Sequence, residues 1–118
     1  MVFDNGGFVY VNPEMFPQAF PQDIDPAQAK VLASSQKPLN QSILAEKSGP
    51  PAWRQLPSWY QVSENDNAIS PDAERMFAEQ INATTVSLAS SHASYISHAN
   101  ETTKLILDAA NTLTRGGE

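Results

Sequence analysis

The chain of 118 residues contains no cysteine, which excludes disulfides and thiol catalysis. Glycine is also scarce, with five residues at positions 6, 7, 49, 116 and 117. No serine therefore stands in the Gly-x-Ser-x-Gly setting that presents a nucleophile on a strand-to-helix turn, and no Gly-rich oxyanion segment occurs. Basic residues number seven against thirteen acids, for a net charge of −6, and they are scattered. A nucleic-acid or anionic membrane partner is not expected from such a distribution. No apolar run approaches the ~18 residues a membrane span needs, and Met1-Val2-Phe3-Asp4-Asn5-Gly6-Gly7 has neither a basic nor a long apolar region of the secretory kind. The expectation is a soluble, cytoplasmic protein. Asn82-Ala83-Thr84 and Asn100-Glu101-Thr102 match the glycosylation pattern, and without a leader chance is the simpler explanation.

Hydrophobic residues make up 41% of the chain and charged residues 17%, a balance suited to one globular domain with a modest core. Val2-Phe3 and Phe8-Val9-Tyr10-Val11 flank Asp4-Asn5-Gly6-Gly7, a hairpin signal in which Asn-Gly supplies positive φ. From Asn12 to Pro26 four prolines with Phe16 and Phe20 between them forbid long regular structure and suggest a cap-like loop with aromatic anchors. Asp25-Pro26 opens a helix to about Gln36, with Ala29, Leu32 and Ala33 on its apolar side. A second short helix is expected over Leu39 to Glu46. Ser48-Gly49-Pro50-Pro51 is the best internal boundary, dividing a cap-like segment, 1–51, from an α/β segment, 52–118. Trp53 and Trp59 lie just past it and are read as packing residues, because aromatics bury large areas whatever the function.

The stretch from Pro57 to His98 organises the rest. Ser58-Trp59-Tyr60-Gln61-Val62-Ser63 is a β run that breaks at Glu64-Asn65-Asp66-Asn67, and Thr84-Thr85-Val86-Ser87-Leu88-Ala89 is a second that breaks at Ser90-Ser91-His92. Between them Ser70 caps a helix over 71 to about 82, with proline at its first position, acid in its first turn, and Ala73, Met76, Phe77 and Ile81 as an apolar stripe. If the two strands are parallel, both loops emerge at the carboxyl edge, and Asp66 and His92 become neighbours. A last helix, Ala99 to Leu113, carries Leu105, Ile106, Ala109, Ala110 and Leu113 as its buried face and stops at Arg115-Gly116-Gly117.

The run Leu56-Pro57-Ser58-Trp59-Tyr60 through Asn65-Asp66-Asn67-Ala68-Ile69-Ser70-Pro71, with Ser90-Ser91-His92-Ala93, resembles the C-terminal half of an α/β-hydrolase of the small esterase and hydroxynitrile lyase-like group. Gly7-Phe8-Val9-Tyr10-Val11-Asn12-Pro13 and Ser48-Gly49-Pro50-Pro51-Ala52-Trp53 resemble that group's cap and the return from it, so the likeness covers most of the chain. It implies a partial α/β-hydrolase fold of two C-terminal parallel strands with flanking helices and a proline-rich helical cap. It further implies Asp66 as the acid and His92 as the histidine of a Ser-His-Asp triad, with no cofactor and no metal. The lyases of the group carry lysine directly after the histidine; Ala93 stands there, which favours an esterase-type parent acting on a small-molecule ester or amide. The nucleophile is missing, as in a hydrolase without its first half that is inactive alone.

Each of these residues also has an ordinary reading. Asn-Asp-Asn before a helix is a common turn, and a lone histidine after a strand is more often structural; their placement at the ends of consecutive strands and the resemblance tip the balance. Ser90, Ser91 and Ser94 are poor substitute nucleophiles, because a serine adjacent in sequence rarely points at the same ring. His92 and His98 lack the spacing of a metal pair. The competing expectation is a noncatalytic fragment or interaction module whose exposed sheet edge leads to self-association or to pairing with an N-terminal hydrolase half.

Overall fold

The computed structural model describes residues 1–115, with side chains placed through Thr112, and the chain is a mixed α/β protein. Its first sheet is antiparallel, in the order β1 (Val2–Phe3), β2 (Phe8–Tyr10), β3 (Leu39–Asn40). Val2 pairs with Tyr10 and Phe3 with Val9, so the expected hairpin is present. Its turn is not the two-residue Asn-Gly type. Gly7 alone takes positive φ there, at 80°, and the Asp4 carboxylate closes the loop by accepting the N–H groups of Gly6 and Phe8, both at 2.8 Å. A four-residue loop held by aspartate makes positive φ at Asn5 unnecessary.

The proline-rich segment holds one short helix, α1 (Phe16–Ala19), and then α2 (Pro26–Ser35). Asp25 caps α2 by accepting from the N–H groups of Ala27 and Gln28, and Ala29 and Ala33 are its buried positions. The helix expected over 39–46 is replaced by β3 and a 3₁₀ turn, Gln41–Ala45, because Leu39 adds to β2 opposite Val9. Pairing to an available strand edge outweighs the weak intrinsic helicity of so short a piece.

The second sheet has two parallel strands, β4 (Trp59–Ser63) and β5 (Thr84–Leu88), joined by α3 (Pro71–Gln80). The register runs from Trp59 opposite Thr84 to Ser63 opposite Leu88. Ser70 caps α3 through its hydroxyl, which accepts the Ala73 N–H. At the other end Asn82 adopts φ of 50°, its N–H donates to the Glu79 carbonyl and the Ala83 N–H donates to the Ala78 carbonyl. That is a Schellman ending, and asparagine is the residue after glycine that best tolerates it. The chain finishes with α4 (Ser94–Ser97) and α5 (Ala99–Arg115).

Burial departs from the expected helix stripes. In α3 the buried residues are Glu74 and Ala78, whereas Met76 is 56% and Phe77 40% exposed. In α5, Leu105 and Ala109 are half-buried but Ile106 is 62% exposed and Ala110 is also exposed. The side chain of Leu113 and the stop at Arg115-Gly116-Gly117 lie outside the described residues. Trp59 is half-buried, while Trp53 is exposed beneath the Arg54 guanidinium rather than packed in a core.

These departures share one cause, a thin core. The accessible surface is 8481 Å², where a compact monomer of this mass exposes roughly 6300 Å². The radius of gyration is 16.6 Å, against roughly 13 to 14 Å for a compact chain of this length. The amphipathic faces of α3 and α5 thus exist in sequence, but too few elements stand opposite them. Val62, wholly buried in β4, is the clearest exception. Val62→Ala is expected to lower unfolding free energy by about 2 kcal/mol. Val31→Ala, on the exposed side of α2, should change it by less than about 0.5 kcal/mol. Urea unfolding followed by circular dichroism measures both, and equal effects would mean that β4 is not the core.

Candidate functional site

The parallel pairing of β4 with β5 continues past both strands. The Glu64 N–H donates to the Leu88 carbonyl at 2.8 Å and the Asn65 N–H to the Ser90 carbonyl at 3.1 Å. The two loops therefore leave the same edge of the sheet side by side, which brings Asp66 and His92 together. Asp66 Oδ2 lies 2.6 Å from His92 Nδ1. The other oxygen, Oδ1, accepts the N–H groups of Ala68 at 2.6 Å and Ile69 at 2.9 Å, where the chain turns towards α3. The carboxylate is thus fixed on one side by backbone and aimed on the other at the ring. The Asp66 side chain is fully buried, whereas about a third of the imidazole surface is open.

A third carboxyl, Glu74, completes this cluster. It is 5% exposed and its Oε2 accepts the Ser63 N–H at 2.7 Å. Atoms of Asp66, Glu74 and His92 lie within 4.8 Å of one another. Burial by itself would raise the Asp66 carboxyl, but hydrogen bonds from Glu74, the Ile69 N–H, His92 and the Ala68 N–H outweigh it and hold the group below its ordinary range. Burial raises the Glu74 carboxyl, and the hydrogen bond to Asp66 raises it further against the opposing Ser63 N–H. Burial, with the nearby charges of Glu74 and Asp66, also raises the Tyr60 hydroxyl. The three groups have the donor types of a cation site, and Asp66, Glu74 and His92 Nδ1 engage one another and backbone N–H groups while His92 Nε2 stays open. Such an arrangement has the form of a proton network.

The proline-rich segment reaches across both loops. Asp23 Oδ2 accepts the Ser91 N–H and the Ser97 hydroxyl, each at 2.8 Å. Gln22 donates to the Asn65 carbonyl and Asn67 donates to the Gln18 carbonyl. Burial acts to raise the Asp23 carboxyl, and its bonds from Ser91 and Ser97 bring it below the ordinary range. Phe20 stacks on Phe16 and meets the His92 ring edge-on, with centroids 4.7 Å apart. A cavity of about 420 Å³ opens beside His92, with Val11, Met15, Ala19, Phe20 and Ile69 among its walls.

Among the expected alternatives, Ser91 and Ser94 are committed elsewhere and Ser90 is shut away from solvent. The Ser91 hydroxyl accepts the Ala93 N–H and the Ser94 hydroxyl accepts from Gln61. Ser90 is fully buried, and its hydroxyl has no hydrogen-bond partner among the described residues. His98 lies next to Ser97 rather than in the cluster of His92. Because the single Ser97 proton goes to Asp23, the Ser97 oxygen accepts from His98 Nδ1.

Sequence reasoning placed Asp66 and His92 but missed Glu74, Asp23 and the contact of Phe20 with the ring. Glu74 was legible only as acid in the first turn of a helix, a role that implies exposure. The signal available was its four-residue spacing from Ala78, a small residue on the face turned to β4. Asp23 carried no signal, since its partners lie 68 and 74 residues away.

Comparison with protein-family models, curated proteins and solved structures returned no match. Among the described residues no helix is long and apolar enough to cross a membrane.

The shifted Asp66 and Glu74 carboxyls bend stability with pH in opposite senses. Asp66, lowered on folding, contributes stability that is present above about pH 4 and lost as pH falls through its folded value. Glu74, raised on folding, contributes stability that is present below about pH 4 and lost as pH rises through its folded value. Glu74→Gln is therefore expected to flatten the decline on the neutral side, and Asp66→Asn to shrink the acid arm to what Asp23 still supplies. Melting temperatures taken between pH 2 and pH 8 test this, and an unchanged neutral-side slope in Glu74→Gln would contradict the raised carboxyl.

Proposed function

We propose that the chain is the C-terminal portion of a partial α/β-hydrolase fold of the esterase type, supplying the acid and the histidine of a Ser-His-Asp triad. The observation that carries this reading is the 2.6 Å contact between Asp66 Oδ2 and His92 Nδ1 at the carboxyl edge of two parallel strands. Asp66 accepts the Nδ1 proton and fixes the tautomer, which leaves the Nε2 lone pair as the base. That nitrogen takes the proton of an attacking serine and then returns it to the leaving group, while the Asp66 charge stabilises the intervening imidazolium. The serine and the oxyanion donors belong to polypeptide beyond these 118 residues, because no serine here has the glycine-flanked elbow. The substrate is a small-molecule ester or amide, and the apolar cavity beside His92 suits its uncharged portion.

Mixing the chain with an N-terminal hydrolase half that carries Gly-x-Ser-x-Gly is expected to give saturable ester turnover. Asp66→Asn should reduce it on the order of 10⁴-fold, and His92→Ala should abolish it. The chain alone should release p-nitrophenol from its acetate slowly, without a burst, and more slowly still in His92→Ala. An acyl-enzyme burst carried by a serine of this chain would overturn the placement of the nucleophile; release unchanged in His92→Ala would overturn the base.

A second reading, a noncatalytic interaction module, is favoured by the surface in excess of a compact monomer. β5 is exposed along four of its five residues, and Ile106 and Leu107 stand open on α5. An edge of this kind pairs with another strand or with a second copy. Sedimentation velocity across a hundredfold concentration range should show mass increasing with concentration, together with binding of a hydrophobic dye at the lowest concentration. A monomer that binds no dye would remove this reading.

A further inference from the structure

An acid–histidine pair needs one carboxylate, and burying a second carboxyl beside it costs free energy unless that group has a role. Glu74 is that second group. α3 begins at the Ser70 cap, immediately after the Asp66 turn, and is rotated so that Glu74 and Ala78 face β4. From there Glu74 reaches the Ser63 N–H, the last ladder position before the Asp loop, and its carboxyl lies within 4.8 Å of that of Asp66. Two carboxylates so close in a buried site do not both ionise. The donor count decides which one holds the proton. Asp66 accepts from Ala68, Ile69 and His92 Nδ1, whereas Glu74 accepts from Ser63 alone. Asp66 is the anion and Glu74 the acid.

We infer that Glu74 is a positioning residue: its carboxyl accepts the Ser63 N–H, donates to Asp66, and so holds the Asp66 carboxylate aimed at His92 Nδ1. The inference rests on reading Asp66 and His92 as a proton-transfer pair, and Glu74 itself touches no reacting atom. The surrounding charges leave this bond to the Glu74 proton. Arg75, the nearest cation on α3, is engaged by Glu64 and Asp72; Tyr60 contributes a neutral hydroxyl from β4; and among the described residues His92 is the further titratable group in the cluster. Among the described residues no fixed positive charge is paired with Asp66 in place of that proton. The brace also ties three elements to one point, because it spans the end of β4, the first turns of α3 and the Asp loop.

Nuclear magnetic resonance of the 118-residue chain, with ¹³C in its aspartate and glutamate carboxyls and ¹⁵N in its histidines, tests the brace without relying on turnover. On titration Glu74 should lose its proton later than Asp66, so that over a range of pH Glu74 gives the signal of a protonated carboxyl and Asp66 that of a carboxylate. The two losing their protons together, or in the reverse order, would overturn the inference. The downfield His92 Nδ1–H proton should persist in Glu74→Gln, whose amide can make both hydrogen bonds, and be lost in Glu74→Leu. A Nδ1–H signal unchanged in folded Glu74→Leu would also overturn it, and if that variant does not fold, the carboxyl titration of the unsubstituted chain decides. Asp66→Asn separates the two levels. If it removes the Nδ1–H signal while Glu74→Leu does not, the brace alone is wrong; if it leaves the signal intact, the pair is absent and the proposed triad falls with it.

Discussion

A carboxylate whose side chain is wholly buried must be surrounded by donors, and in this chain that requirement is met at Asp66 from every side. Two backbone N–H groups hold one oxygen, and the imidazole holds the other. Supplying those donors dictates much of the local fold. The loop must turn sharply after β4 for Ala68 and Ile69 to point back, α3 must start at once, and β5 must run parallel to β4 so that His92 emerges beside Asp66. The isolated Born cost of such a charge would exceed the whole stability of a domain this size, so the donors are a condition of folding as well as of chemistry.

The segment before α2 bears on the same point from above. Proline density keeps it from forming long helices, which leaves backbone carbonyls and short polar side chains free to cross to the two loops. Asp23 serves the His loop through Ser91 and Ser97, as Asp66 serves the ring. The Gln18 carbonyl and Gln22 side chain serve the Asp loop. Phe20, locked parallel to Phe16, then covers an edge of the imidazole and keeps one wall of the cavity apolar. A region read from sequence as a cap with aromatic anchors contacts the loops mainly through hydrogen bonds.

Signals confined to a few neighbouring residues were legible. Ser70-Pro71 and Asp25-Pro26 announce helix starts, because the capping hydroxyl or carboxylate and the missing proline N–H act within one turn. The two β runs that end in polar loops announce the edge at which Asp66 and His92 meet. Illegible features depended on what stands opposite. Met76, Phe77 and Ile106 have the periodicity of a buried face, but periodicity states which side of a helix is apolar and says nothing of whether a partner exists to cover it. Leu39 likewise lacks helical commitment of its own, and Val9 decides its conformation. Glu74 inverts the usual rule, since an ionisable residue took the buried position that its apolar neighbours were expected to hold.

Quality of construction is therefore uneven, and it is highest around Asp66. At the loop edge of the second sheet Ser63, Asp66, Glu74, Ser91, Ala93 and Ser94 are all buried, five of the six carrying polar side chains. At Val86 of β5 and on the outer face of α5, by contrast, apolar side chains lie open to solvent. A chain that stabilised itself chiefly by hydrophobic burial would show the reverse, with its best packing between sheet and helices and its polar groups outside. Here the firmest part is a polar network that gains little net stability from each hydrogen bond but loses much when any one is left unmade. Such a network fixes geometry more than it stabilises the fold, and geometry is what proton transfer between a carboxylate, an imidazole and a third group requires.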